Sequence, residues 1–421
     1  MNIRADIDLP AVSQRRLMSR IEALAEVGDT GDGGCARLAL TDEDGAGRDL
    51  VVSWMRDLGL DISIDGIGNV IATQPGFDHA LAPVMCGSHI DTVRTGGRYD
   101  GNLGVLAGLE IIETLQTAGI TLGRPLAVGF FTDEEGARFA PDMLGSLAYV
   151  GGIGLEDALD IVSTDGAVLG AELERIGYAG GAPLPARPPH AFVELHVEQG
   201  PVLEAEDITI GAVTGVQGIS WTEFTITGQS NHAGTTPMSL RHDAGYVAFA
   251  IGAFVRDLAT EFGGSQVATV GRIELHPNLV NVVARTAVLT VDLRNTNNAL
   301  LVEAERRLAS FVDHLARSEG VTIARRALAR FEPVSFDETV ISLVEDAATR
   351  LGHSVRRLAS GAGHDAQMLA RVCPTAMVFV PSVGGISHNP EEFTTPDHLV
   401  AGANVLLAVM ATLAGTGTTT P

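Results

Sequence analysis

Four short apolar runs in this chain end in the same kinds of residue, and that recurrence constrains the fold more than any other feature. Val84 and Met85 lead through Cys-Gly-Ser to His89, with Asp91 and Asp100 beyond; LAVGFFT (126–132) runs into Asp133, Glu134 and Glu135. AFVELHV (191–197) carries His196, and AMVFV (376–380) leads through PSVGGIS to His388. Runs this short, bounded by glycine and polar loops, read as buried strands. Apolar strands of this kind suit a sheet covered on both faces by helices. Open parallel sheets hold ligands beyond the carboxyl ends of their strands, so residues 89 and 388 can meet at one site. The expected fold is α/β: a central mixed sheet forming a discontinuous, dinuclear-metal catalytic domain.

Each motif alone is ordinary. His89-Ile90-Asp91 occurs often enough to be a hydrogen-bonded pair at a strand end, and Glu134-Glu135 to be two solvated loop acids. Their repetition at four strand ends changes the reading. Residues two apart on an extended segment share a face, so Asp91 can reach round to orient His89 and fix which ring nitrogen faces an ion. We assign His89, Asp100 and His196 to one ion, and Asp100, Glu135 and His388 to a second. Asp100 is placed to bridge them, at the mouth of a helix whose dipole favours its charge. Imidazole and carboxylate donors suit two divalent ions of Zn, Mn or Co. Adjacent glutamates point in different directions, which leaves Glu134 free to take a proton from water and return it to a leaving nitrogen.

Between the third and fourth runs lies a block of different pattern. A strand at 219–228, a helix at 244–262, strands at 267–275 and 284–294, a helix with Leu301, Ala304, Leu308, Phe311 and Leu315 on one stripe, and a strand from 321 give β-α-β-β-α-β, the ferredoxin-like order. The chain is therefore expected to have a catalytic domain at 1–214 and 330–421 and an inserted α+β lid or dimerisation domain at 215–329. Within 284–294, Ala287, Leu289, Val291 and Leu293 form one face, and Val288, Thr290, Asp292 and Arg294 the other. Arg294 either turns to a cleft, where a planar guanidinium grips a carboxylate, or pairs with Asp292 at the rim. His232, in SNHAGTTP, is presented on a loop.

Composition excludes several functions. All 28 basic residues are arginine, so a Schiff-base lysine, a pyridoxal site and a Walker-A lysine are ruled out. A net charge of -24 repels phosphate backbones and anionic lipid, so neither nucleic acid nor membrane is an expected partner. Three scattered cysteines, Cys35, Cys86 and Cys373, form no disulfide framework and suit a reducing cytoplasm. MNIRADIDLP lacks a basic region followed by an apolar core, so no secretory leader is expected.

The motifs GSHIDTV, YDGNLGVLAG, FTDEEGARF, ELHVEQGPVLE, NHAGTTP, GAGHDA and GISHNPEEF, in this order from about residue 80 to residue 410, resemble the ureido-cleaving amidases of the M20 metallopeptidase clan. These are the N-carbamoyl-L-amino acid hydrolases, β-ureidopropionases and allantoate amidohydrolases. The resemblance implies a dinuclear catalytic domain, a dimerising lid and so a homodimer, and a small ureido acid as substrate. It implies that His232 polarises the scissile carbonyl, that Gln199 contacts substrate rather than metal, and that Asn281 and Arg294 bind the substrate carboxylate. Many exopeptidases of the clan carry an acidic ligand where this chain has His196, which points away from peptides. The expected activity is hydrolysis of the ureido C–N bond of an N-carbamoyl-L-amino acid, with allantoate amidohydrolase or β-ureidopropionase the nearest alternatives. An aminoacylase, a dipeptidase and a non-catalytic scaffold of the same fold are more distant rivals; the scaffold would be expected to have lost ligands or the base.

Overall fold

A computed structural model of the chain describes residues 9–415. The reading of the N-terminal segment therefore falls mostly outside the described residues. In chain order the strands are β1 (Asp61–Ile64), β2 (Val70–Gln74), β3 (Val84–His89), β4 (Leu126–Phe131), β5 (Ala191–Val197), β6 (Ile210–Val216), β7 (Gly218–Thr227), β8 (Val267–His276), β9 (Thr286–Asn295), β10 (Thr322–Phe331), β11 (Val334–Ser335), β12 (Val355–Ser360) and β13 (Thr375–Val380). They divide between two compact units, one holding 9–214 and 335–415, the other Gly215–Val334.

In the first unit the sheet order is β1-β2-β4-β3-β5-β13-β6-β11, with β12 also paired to β6. Its centre is parallel: β4 with β3, β3 with β5, and β5 with β13. β1, β2 and β6 join antiparallel, so the sheet is mixed. Every residue of β3, β4, β5 and β13 is buried. That is the pattern of parallel strands covered on both faces. The helix Asn102–Thr117 is buried almost throughout and packs on β3, β4 and β5. Pro396–Ala414 is apolar and long enough to cross a membrane by length and composition. It packs on β13, β5 and β3, with Leu399, Val405, Leu406 and Met410 buried, as a core helix does.

The second unit is a four-stranded antiparallel sheet in the order β10-β7-β9-β8, with helices Ala244–Phe262 and Asn298–Glu319 packed on it. Its own core includes Phe224, Ile226, Ile251, Leu289, Val291, Leu301 and Val312. β9 alternates as its sequence predicts, Ala287, Leu289, Val291 and Leu293 being buried. The unit runs on to Val334 instead of ending at 329. β10 stays paired with β7 as far as Phe331 opposite Ile219, and Pro333 lies against Gly218.

Candidate metal centre

Because β4, β3, β5 and β13 run parallel, their carboxyl ends share one edge of the sheet, and the candidate ligands of the first unit gather there. His89 ends β3 in register with Phe131 of β4, and His196 lies on β5 opposite Phe379 of β13. Both rings are buried. His89 Nδ1 is 2.9 Å from the Asp91 carbonyl oxygen, and His196 Nδ1 is 2.8 Å from that of Val197. A carbonyl only accepts, so each Nδ1 carries a proton and each Nε2 turns to the site.

The two Nε2 atoms lie 3.5 and 3.1 Å from Asp100 Oδ1. His196 Nε2 also accepts the Gly101 N–H at 3.0 Å. The second oxygen of Asp100 faces elsewhere: His388 Nε2 is 3.4 Å from Oδ2 and 3.2 Å from Glu135 Oε2. Two groups of potential ligands, His89 with Asp100 and His196, and Asp100 with Glu135 and His388, therefore share one carboxylate. The donor atoms of each group lie within 4.8 Å of one another. Glu134 diverges from Glu135, its Oε2 lying 3.4 Å from His89 Nε2.

The backbone around the site is held in unusual conformations. Asp133, Gln199 and His388 all have positive φ, at 56°, 57° and 52°. Such strain persists only where the surroundings enforce it. Gly101 has φ 66° and faces the His89 ring so closely that a Cβ would fall 2.4 Å from Cε1. Beneath the loop, the buried Arg37 donates to the Ile90 carbonyl at 2.7 Å and to Asn102 Oδ1 at 2.9 Å.

Asp91 acts differently from the sequence expectation. His89 is oriented by the Asp91 backbone carbonyl, while the nearer carboxylate oxygen is 3.8 Å from Nδ1. The carboxylate accepts the N–H groups of Glu134 and Glu135, each at 3.3 Å. The chain turns directly after β3, so the carbonyl reaches the ring first and the side chain is left to hold the adjacent loop.

The electrostatics favour cations. Burial opposes a charge on His89, yet Glu134, Asp100 and Asp91 raise its pKa well above the ordinary value. Hydrogen bonding to the Asp100 and Glu135 carboxylates raises His388 to about 10. Burial would raise Asp100, but the imidazoles of His196, His388 and His89 set against its oxygens hold it well below the usual carboxylate range. Glu134 is pushed well up, by burial first and then by the charges of Asp365, Glu135 and Asp100. Carboxylates that attract protons onto neighbouring imidazoles will attract a divalent ion in their place. The donor set, imidazole nitrogen and carboxylate oxygen without thiolate, fits a borderline transition ion.

Glu194, His196 and His364 form a third group within ligand reach. The carboxylate of Glu194 is already engaged, Oε1 accepting from Ser88 Oγ at 2.5 Å and Oε2 from Ala366 N–H at 2.8 Å. His364 packs 4.6 Å from the His196 ring and is held neutral by burial. This group backs His196. Gln199 reaches the candidate centre, its Nε2 lying 2.7 Å from Asp100 Oδ2 and 3.5 Å from His388 Nε2. Its Oε1 is buried without a hydrogen-bond partner.

In the second unit, His232 and Asn281 are adjacent: His232 bridges to Val282, and Ala233 N–H donates to the Asn281 carbonyl at 2.9 Å. His232 Nδ1 accepts the N–H groups of Gly234 and Thr235, leaving Nε2 to carry the proton on an exposed ring. Arg294, near the end of β9, donates to Asp292 at 2.9 to 3.2 Å and lies over the Trp221 ring at 5.8 Å. Sequence reasoning missed Glu392, which accepts the N–H of Asp100, and Ser387, which touches Asp100 Oδ2. The available signal was a second Glu-Glu pair just beyond His388.

Comparison with known proteins agrees with this arrangement. Residues 85–412 match peptidase family M20/M25/M40. An N-carbamoyl-L-amino-acid amidohydrolase of Rhizobium meliloti is 42% identical over 95% of this chain and 97% of its own. One from Geobacillus stearothermophilus is 38% identical over 94% and 97%. The crystal structure of a hydantoinase/carbamoylase family amidase from Burkholderia multivorans superposes with TM-score 0.94 at 45% identity, covering 96% of this chain and 98% of that one. The chain thus belongs to peptidase family M20/M25/M40 and, within it, to the hydantoinase/carbamoylase amidases, hydrolases of linear non-peptide C–N bonds.

Proposed function

We propose that this protein hydrolyses N-carbamoyl-L-amino acids, consuming one water and releasing the amino acid, ammonia and carbon dioxide. The observation that carries this reading is the shared Asp100, whose two oxygens face two separate ligand groups in a chain similar along almost its whole length to N-carbamoyl-L-amino-acid amidohydrolases. Two divalent ions of zinc, manganese or cobalt, held by His89, Asp100 and His196 and by Asp100, Glu135 and His388, would supply Lewis acidity to a water and to the ureido oxygen. Glu134 accepts the proton of that water and delivers it to the leaving nitrogen. Asp91 keeps Glu134 and Glu135 in place through their N–H groups. Gln199, beside Asp100 and His388, is available to position substrate. In the second unit, the Nε2–H of His232 is a donor suited to a developing oxyanion. We assign the substrate carboxylate to Asn281 and Arg294, by resemblance to the family.

We further propose a homodimer formed through the second unit. The helix Ala244–Phe262 exposes Tyr246 and Phe249 at 52% and 59%, and β8, an edge strand, exposes Val267 and Ile273. Light scattering reporting a monomer at micromolar concentration would refute the dimer.

The experiment is ammonia release from a panel of N-carbamoyl-L-amino acids, N-carbamoyl-β-alanine and allantoate after zinc, manganese or cobalt loading, with Glu134→Gln alongside. The variant should keep its metal and lose roughly 10²- to 10⁴-fold in turnover. Near-normal turnover would remove Glu134 from its role, and turnover of allantoate alone would replace the substrate.

A further inference from the structure

A carboxylate outside both ligand groups holds the shared one in place. Glu392 is 4% exposed. Its Oε1 accepts the N–H groups of Tyr99 at 2.9 Å and Asp100 at 3.2 Å. Its Oε2 lies 3.3 Å from Ser387 Oγ, and that hydroxyl is also 3.2 Å from Asp100 Oδ2, so one proton is shared between the two carboxylates. Asp100 is thus held at its backbone by Glu392 and at its side chain by the neighbour of His388. The seat is fitted closely. A Cβ at Gly97 would fall 2.3 Å from Glu392 Oε1, so glycine there is what lets the carboxylate reach the 99–100 backbone. Thr95 Oγ1 adds a second tie between the same loops, donating to the His388 carbonyl at 3.2 Å.

The two ligand groups depend on this contact unequally. His89 ends β3 and His196 lies within β5, both buried and fixed by the sheet. His388 belongs to the loop after β13, has positive φ, and has a side chain 49% exposed. Its register against Asp100 comes from loop-to-loop contacts; Glu392 makes two of those hydrogen bonds, to Tyr99 and Asp100, and a third, to Ser387, within the His388 loop.

We propose that Glu392 is a positioning residue that clamps the His388 loop onto the Asp100 loop, and that it sets the affinity of the ion shared by Asp100, Glu135 and His388 far more than that of the other ion. The proposal rests on the two-ion reading above. What matters is the reach of the side chain, because its partners are N–H groups and a hydroxyl rather than a cation.

The test is zinc titration of the metal-free full chain against a chromophoric chelator, with zinc content measured at saturation. Wild type should bind two ions. Glu392→Ala should weaken the second ion about 10- to 100-fold, the range usual for lost support behind a metal ligand, and weaken the first far less. Glu392→Asp keeps the charge but is too short, and should behave like alanine, which supplies a second readout if the alanine variant does not fold. Glu392→Gln has the right length and an accepting oxygen, and should retain the second ion. Wild-type binding by the alanine variant, equal weakening of both ions, or rescue by aspartate instead of glutamine would each overturn the clamp. A wild type that saturates at one ion would overturn the two-ion reading itself.

Discussion

At Asp100 the two carboxylate oxygens serve different partners, and the geometry that allows this is enforced by the next residue. Gly101 takes φ 66°, and its missing side chain leaves room for the His89 ring. Replacement by alanine puts a side chain on a backbone with φ 66° and ψ −51°, a strain of roughly 1–3 kcal/mol, and places a methyl group 2.4 Å from an imidazole carbon. The ring is buried and tethered at Nδ1, so it must tilt and carry Nε2 away from Asp100. Gly101→Ala is expected to bind less metal than wild type at equal free zinc and to unfold at lower temperature. This separates it from Glu134→Gln, which leaves every ligand in place. Elemental analysis showing full metal content in Gly101→Ala would contradict the steric argument.

Between β1 and β2, Asp65 organises a turn that reaches the catalytic sheet. It accepts the N–H groups of Ile67 and Asn69 and the Asn69 amide, and Asn69 in turn holds Thr132 N–H and the Gly145 carbonyl. Burial raises the Asp65 pKa to about 6, against hydrogen bonds and the Arg48 charge that would lower it. A carboxyl raised in the folded state binds its proton more tightly there than in the unfolded chain. Its stabilising contribution is complete below the ordinary pKa near 4 and is lost as pH rises through about 6, an effect of at most about 3 kcal/mol. Urea titrations from pH 4 to 7 should show wild type losing stability relative to Asp65→Asn across that window; parallel curves would disprove the linkage. Elements such as these were legible wherever local pattern decides them. The helix Asp42–Asp57 had a readable start signal in Thr41, which caps Asp44 N–H ahead of three acidic residues. On Asn298–Glu319 the expected stripe placed Phe311 in the core, but Val312 takes the buried position and Phe311 stacks on Phe254 at 4.0 Å. A flat ring can serve at the margin of a core that a β-branched residue fills. The strand-end ligands were readable because each follows an apolar run. The contacts of Glu392 and of Asp91 were not, although the Glu391-Glu392 pair itself was visible, because both depend on which loops meet in space.

Across the molecule, negative charge is concentrated where the ions are proposed to bind. The chain carries a net charge of -24, and the first unit buries Asp91, Asp100, Asp133, Glu134, Glu194, Asp365 and Glu392 around one edge of its sheet. Mutual repulsion raises Asp133, Glu134 and Asp365 well above their ordinary values, burial being the larger cause in each. The second unit has its own apolar core and, among the described residues, no group of potential metal ligands. Ions that bind the folded site and not the unfolded chain add about 2.7 kcal/mol per site at a hundred times the dissociation constant. For a unit of this size that is a shift on the order of 5 °C in the thermal midpoint. Chelation is therefore expected to lower the midpoint of the first unit's transition and leave that of the second unit unmoved, with recovery on adding back zinc, manganese or cobalt. Calorimetry with and without chelator measures this directly. A trace indifferent to metal would mean that the buried carboxylates are neutralised by protons alone, and the proposed two-ion centre would have to be abandoned.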